Sequence, residues 1–176
     1  MSKNSQNITM GNQQERLFFD IGYILGMIDG EGATQIVSKY KYNGYHVCTP
    51  RISIYNSNPF IIQHIVEALQ NWNIVFSQYT PPLHGKETRP CYRIYIEGLK
   101  RCKKLTDILL NFPSGKKERI QLINDFCNYR LSFTKNKKEN ETYSEMVDTF
   151  RKRIRLLNAE HRGTKSSETT RSDAKA

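Results

Sequence analysis

The segment GYILGMIDGEG, Gly22 to Gly32, constrains the fold more than any other stretch of the chain. Glycines stand at 22, 26 and 30 in a run that is otherwise apolar until Asp29 and Glu31 near its end. Residues four apart stack on one side of a helix, so this spacing predicts a helix with a smooth strip along one side. Ile21, Leu25 and Ile28 share another side, and a helix apolar nearly all round is expected to be buried nearly all round. Each interior glycine costs a helix about 1 kcal/mol relative to alanine, so three of them imply a compensating contact. A strip without side chains lets two backbones approach closely. The chain has no second strip of this kind, and the simplest partner is the same strip on another copy, across a two-fold axis. Gly30 also suits a helix end, a role that needs no partner.

The acids sharpen this picture. A carboxylate beside a two-fold axis meets its symmetry mate, and two close carboxylates repel unless positive charge lies between them. Carboxylates with water and phosphate oxygens suit Mg²⁺, and a metal so held activates water and stabilises charge on a scissile phosphate. A helix C-terminus disfavours acids, which argues for a role beyond packing. Spacing does not choose between Asp29 and Glu31.

The rest of the chain supplies an α+β context. The helix begins either at Asp20, acting as its cap, or nearer Gln13. ATQIVSKYKY, 33–42, and YHVCTPRISIYN, 45–56, read as a hairpin closed by Asn43-Gly44. Asn58 followed by Pro59 opens an amphipathic helix with Ile62, Ile65, Val66 and Leu69 on one side. IVFSQYT, 74–80, and CYRIYIEG, 91–98, give a second hairpin around a proline-bounded loop, 81–90. Three helices follow: LKRCKKLTDILLNF, a segment opened by Ser114-Gly115, and YSEMVDTFRKRIRLLNAEH. The expected organisation is a flexible N-terminus over 1–14, one domain over 15–160 and a disordered basic tail over 161–176. Two hairpins predict one four-stranded antiparallel sheet, with Ile and Val packed on helices and a polar, basic face left open.

Charge selects the partner for that face. Lys and Arg number 27 against 17 acids, a net charge of +10, which points to a polyanion, nucleic acid before an acidic membrane surface. No run approaches the eighteen apolar residues of a membrane span, and MSKNSQNITMGNQQE lacks the apolar centre of a secretory signal. A twisted sheet with a basic face fits a DNA groove. Alternation nominates Gln35, Lys39, Lys41, Arg51, Ser53, Tyr55, Arg93 and Tyr95 as base readers, and a one-residue bulge would flip such assignments. Lys100, Arg101, Lys103 and Lys104 form a basic helix suited to phosphates, which position a duplex without specifying sequence. The cysteines at 48, 91, 102 and 127 show no zinc spacing and read as reduced thiols.

ILGMIDGEG, Ile24 to Gly32, resembles the signature nonapeptide of the LAGLIDADG homing endonucleases. Gly26, Asp29 and Gly32 match the signature, Glu31 stands for its last Asp, and Gly30 replaces its small alanine. The element order extends the likeness over roughly residues 15–160. One motif in the chain implies the homodimeric type, with the motif helices (Gly22, Gly26, Asp29, Gly30) at the interface. The resemblance implies site-specific double-strand DNA cleavage that leaves short 3′ overhangs at a long pseudo-palindromic target. Mg²⁺ is the implied metal, with Mn²⁺ as a substitute. Glu31 and the Gly30 carbonyl would be the metal ligands, and Asp29 mainly structural. Asn58 resembles a polar residue that organises the water network, beside its alternative as an N-cap. Lys116 resembles the lysine that supports the nucleophile, with Lys117 or Arg119 as alternatives. An intron-encoded protein of this kind is expected where its genome is, in a mitochondrion or chloroplast or else in a bacterial or phage-host cytoplasm. A maturase binding intron RNA, or a DNA-binding protein of the same fold that does not cut, is the alternative.

Overall fold

The computed structural model describes residues 4–42, 45–83, 89–132 and 140–172. The chain runs α1 (Asn4–Glu31), β1 (Gly32–Tyr42), β2 (Tyr45–Asn56), α2 (Pro59–Asn71), β3 (Ser77–Tyr79) and β4 (Tyr92–Glu97). Three helices complete it: α3 (Leu99–Leu109), α4 (Lys117–Ser132) and α5 (Asn140–Ser172). The strands form one antiparallel sheet in the order β1-β2-β4-β3. This is the α+β architecture expected from the hairpins. The Asn43-Gly44 turn itself lies outside the described residues, as do 84–88 of the long loop.

One face of the sheet makes the core. Ile52 and Ile54 of β2 and Ile94 and Ile96 of β4 are fully buried, as period-two alternation demands. Against them lie Ile24 and Ile28 of α1, Ile65 and Leu69 of α2, Leu105 of α3 and Phe126 of α4. Cys48, Cys102 and Cys127 are buried in the same core, and all four cysteines are free thiols.

Helix ends follow local chemistry. Asn58 caps α2 by accepting from Phe60 N at 2.9 Å, with Pro59 in the first turn. The far end of α2 closes with Ile74 N on Leu69 O and Asn73 N on Gln70 O, Asn73 having φ 51°. These are the paired bonds of a left-handed helix stop, a conformation asparagine tolerates. That stop consumes Ile74, so β3 is shorter than the predicted 74–80. At Gly98, between β4 and α3, φ is 108°, a region essentially reserved for glycine.

Three expectations at the helices change. Asp20 is no cap: α1 starts at Asn4, and Asp20 is buried within it, 3.3 Å from His64 Nε2 of α2. Residues 12–19 are all exposed, so α1 gains its burial from Asp20 onward. Helix α5 continues to Ser172, past the point where loss of apolar residues predicts an end. Once a helix is nucleated, each further residue adds a hydrogen bond without needing a core. Finally, α1 is not buried on every side, because Gly22, Gly26 and Gly30 are exposed.

Candidate active site and nucleic-acid face

Where α1 ends, the chain turns at once into β1, and Gly32 makes that turn possible. A Cβ built on Gly32 would lie 2.5 Å from Ile28 Cα and 2.7 Å from Ile28 O, so no side chain fits against the last helical turn. The reversal leaves Glu31 exposed at the end of α1. By contrast, a Cβ on Gly22, Gly26 or Gly30 would meet nothing within 4 Å. Their strip is an open lane on the surface of one chain, and Phe18 and Phe19, 50% and 62% exposed, stand one turn before it.

Asp29 faces inward to another element. Its Oδ1 accepts from Ser114 Oγ at 2.7 Å and Lys116 N at 3.0 Å, and its Oδ2 from Gly115 N at 2.8 Å. A carboxylate on backbone amides just ahead of α4 satisfies donors that the helix cannot, and favours the positive end of its dipole. The structure thus gives Asp29 a bracing role within its own chain, tying the α3–α4 loop to the motif.

Lys116 completes the brace. Its side chain is buried, and Nζ donates to Ile28 O at 2.7 Å and Gly32 O at 2.8 Å. Ile28 O belongs to the last turn of α1, whose carbonyls lack helical partners. The ammonium therefore sits astride the turn that carries Glu31 and holds it from behind. Of the two alternatives, Lys117 is exposed, and Arg119 donates through Nη2 to Leu157 O at 2.7 Å.

Glu31 and the carbonyl of Gly30 are hard oxygen donors, the kind Mg²⁺ takes. Among the described residues, no three His, Cys, Asp or Glu gather as a metal-binding group. One chain thus offers a single exposed carboxylate at the end of the glycine strip. The Asn58 Oδ1 is committed to its capping bond, while its amide nitrogen has no partner among the described residues and keeps its donors. Asn58 N in turn donates to Asn56 Oδ1 at 2.8 Å. Gly32 pairs with Ile54, so Asn56 and Asn58 follow β2 out of the sheet at the end where Glu31 lies.

The open face of the sheet carries most of the nominated readers. Across β2 and β4, Arg51 pairs with Glu97, Ser53 with Tyr95 and Tyr55 with Arg93. Arg51 lies 5.2 Å above the Tyr95 ring, Arg93 lies 5.8 Å from the Tyr55 ring, and the two tyrosines meet edge to face at 6.3 Å. Such cation–π and aromatic contacts order side chains before any ligand arrives. Gln35 and Lys39 of β1 are exposed on this side.

Two readers change. Ser53 is fully buried and its Oγ has no hydrogen-bond partner among the described residues. It is the one small side chain in a row with Arg51, Tyr55 and Tyr95, so strand parity puts it on the open face while its bulky neighbours cover it. Lys41 changes because β1 is bulged between Ser38 and Tyr40. Beyond the bulge Tyr40 pairs with Val47 and Lys41 with His46, so the alternation that grouped Lys41 with Gln35 does not carry through. The Lys41 side chain lies outside the described residues.

On α3 the charges divide. Lys103 is bound to both carboxylate oxygens of Asp107 at 2.8 Å, and Lys104 donates to Asn73 O at 3.2 Å. Lys100 and Arg101 are exposed with no partner among the described residues, and Arg101 borders the same groove as Lys39, Arg51 and Tyr95.

Solved structures share this fold. The homing endonuclease I-CvuI, in complex with DNA, aligns with a TM-score of 0.61 at 14% identity, over 81% of this chain and 83% of its own. The archaeal intron-encoded homing endonuclease I-Vdi141I, complexed with DNA, aligns at 0.60 and 17% identity, over 78% of this chain and 83% of its own. The chain has the fold of the LAGLIDADG homing endonucleases. No family model and no curated protein sequence matches it.

Within the homing-endonuclease fold, sequence reasoning passed over three contributors. Ser114 and Gly115 carry the bonds to Asp29, and Ser-Gly ahead of KKERIQ reads most simply as a helix start. Glu97 is the third. It is the only acid in the four strands, and that isolation within a basic pattern was its available signal.

Proposed function

We propose that this chain is one subunit of a homodimeric, divalent-metal-dependent, site-specific DNA endonuclease. The observation that carries the reading is the open glycine lane of α1 ending in the exposed carboxylate of Glu31. A lane with nothing within 4 Å of three glycines accepts a second α1, with Phe18 and Phe19 extending the contact. Two-fold packing would then bring two Glu31 carboxylates together between two basic sheets.

In that dimer Glu31 and the Gly30 carbonyl hold the metal, which when bound supplies charge stabilisation at the scissile phosphate and a more acidic water. Lys116 and Asp29 fix the turn that aims Glu31, and the Asn58 amide offers donors at the margin. The sheets follow the major groove on either side, with Arg51, Tyr55, Arg93, Tyr95, Gln35 and Lys39 toward base edges, and Lys100 and Arg101 toward phosphates. The I-CvuI and I-Vdi141I structures are DNA complexes, and those of I-CvuI were obtained in the presence of Mg or Ca, which supports both the partner and the ion class. Intron encoding, and residence with the host organelle or cell genome, follow from the same reading.

The test is selection of cut sites from a randomised duplex pool with Mg²⁺. Wild-type protein should return one long, partly symmetric site with short 3′ overhangs. Chelator and Glu31→Gln should abolish cutting while leaving binding in place. Selective binding with no cutting by wild type would refute the nuclease and leave the non-cleaving DNA-binding alternative. Selective retention of an intron transcript would favour the maturase.

A further inference from the structure

Glu97, the last residue of β4, stands on the face expected to meet a polyanion, where an acid costs binding unless it does something else. Its two oxygens are divided between strands. Oε1 pairs with Lys39, which sits at the bulge of β1, and Oε2 takes both Nε and Nη2 of Arg51 on β2, at 2.7 and 2.5 Å. The Arg51 and Glu97 side chains are only partly exposed, and the Tyr95 ring lies against one side of the Arg51 guanidinium.

A guanidinium has five N–H donors in a rigid plane. Glu97 occupies the inner edge, Nε and one hydrogen of Nη2. Nη1 has no partner among the described residues, so the donors left are those of Nη1 and the outer hydrogen of Nη2. These two nitrogens form the end-on fork that matches the O6 and N7 acceptors of guanine in the major groove. The fork opens on a groove of about 460 Å³ that Lys39, Arg51, Tyr95, Glu97 and Arg101 help to line. A free arginine loses rotamer entropy when it docks. One held by a carboxylate and a ring has already lost most of it.

We propose that Glu97 is a specificity-determining residue of the DNA-binding face, holding Arg51 with its outer fork free to read one guanine. The inference rests on the DNA-binding reading above and goes beyond it by naming a base and the residue that fixes its reader. Glu97 does not itself touch the base. It acts through Arg51, so it is a positioning residue, and its loss moves preference at one position of each half-site rather than affinity at all of them.

The experiment is binding selection from a randomised duplex pool in Ca²⁺, with wild type, Arg51→Lys and Glu97→Gln compared position by position. Arg51→Lys keeps the charge and loses the fork, and should erase a guanine preference at one symmetry-related pair of positions, one in each half-site, a change of about five- to 150-fold. Glu97→Gln should weaken the preference at that same pair and leave the other positions as in wild type. A Glu97→Gln profile unchanged at that pair overturns the proposal, as does a uniform gain in affinity for every sequence, which would make Glu97 a mere repulsive charge. Unchanged guanine preference in Arg51→Lys overturns it too, independently of how the Glu97 variant folds. If wild type selects no sequence, the DNA-binding reading itself falls, an outcome distinct from the others.

Discussion

Replacing Lys116 by methionine separates bracing from catalysis. Methionine nearly matches the lysine stem in volume, so little packing is lost and the ammonium is what disappears. With it go donations to Ile28 O at 2.7 Å and Gly32 O at 2.8 Å. A hydrogen bond to a charged group is worth about 1.5–3 kcal/mol, and a buried carbonyl left without a donor costs about 1–3 kcal/mol. Against this stands relief from burying an ammonium, several kcal/mol in favour of the mutant. The balance for two such bonds is a loss of about 2–4 kcal/mol. In a chain of 176 residues each kcal/mol moves the melting temperature by about 2–4 °C, so Lys116→Met should melt about 5–15 °C below wild type. The assay is thermal unfolding at one fixed protein concentration, since the proposed dimer would make the midpoint concentration-dependent. Cleavage should fall along with stability, and selective binding in Ca²⁺ should survive at low temperature. A variant as stable as wild type that has lost cleavage would refute the bracing role and make Lys116 a group that acts on the reacting phosphate.

Gly26→Leu should shift the protein from dimer to monomer in gel filtration, because it fills the open lane of α1, and an unchanged dimer would remove that account of the glycines. In the native protein, thiol reagents should label half-exposed Cys91 and spare Cys48, Cys102 and Cys127 until denaturant is added. Burial pushes the Cys127 thiol up to about 12 and raises those of Cys48 and Cys102, and rapid native labelling of any of the three would contradict the packing described. Glu97 gives a pH signature. Burial alone would raise its carboxyl, but hydrogen bonds and charge from Lys39 and Arg51 outweigh that and hold it below the usual 4.5. Its stabilising share is therefore complete above pH 4.5 and lost as pH falls through the lowered folded value. Urea midpoints should decline less steeply below pH 4.5 in Glu97→Gln than in wild type, and parallel declines would show that the carboxylate is not stabilised by its partners.

What could be read in advance was set by local periodicity. The two hairpins, the core isoleucines of β2 and β4 and the glycine strip of α1 each follow from local spacing, although the exposure of that strip in a single chain does not. What could not be read depends on contacts between distant segments. Lys116 meets Ile28 across 88 positions, and nothing in SGKKER distinguishes a lysine that reaches solvent from one that reaches a carbonyl. The bulge at Lys39 is invisible to alternation because it is a shift in pairing, not in composition. Ser53 obeys its strand parity and is hidden only because larger neighbours share its row. Glu97 escaped notice for the opposite reason: a search for basic readers passes over the acid that holds one of them.

The passage from α1 directly into β1 has a geometric consequence. With no linker between helix and strand, only the tight turn at Gly32 separates the carboxylate at position 31 from the reading side chains of β1. Gln35 lies three residues into the strand from Gly32, about 10 Å at strand rise, close to three base-pair steps of about 3.4 Å. For a nuclease built this way, the interval between the bond that breaks and the first base inspected is a chain dimension. Side chains on the sheet can then be exchanged, and the target sequence rewritten, without moving the point of cutting.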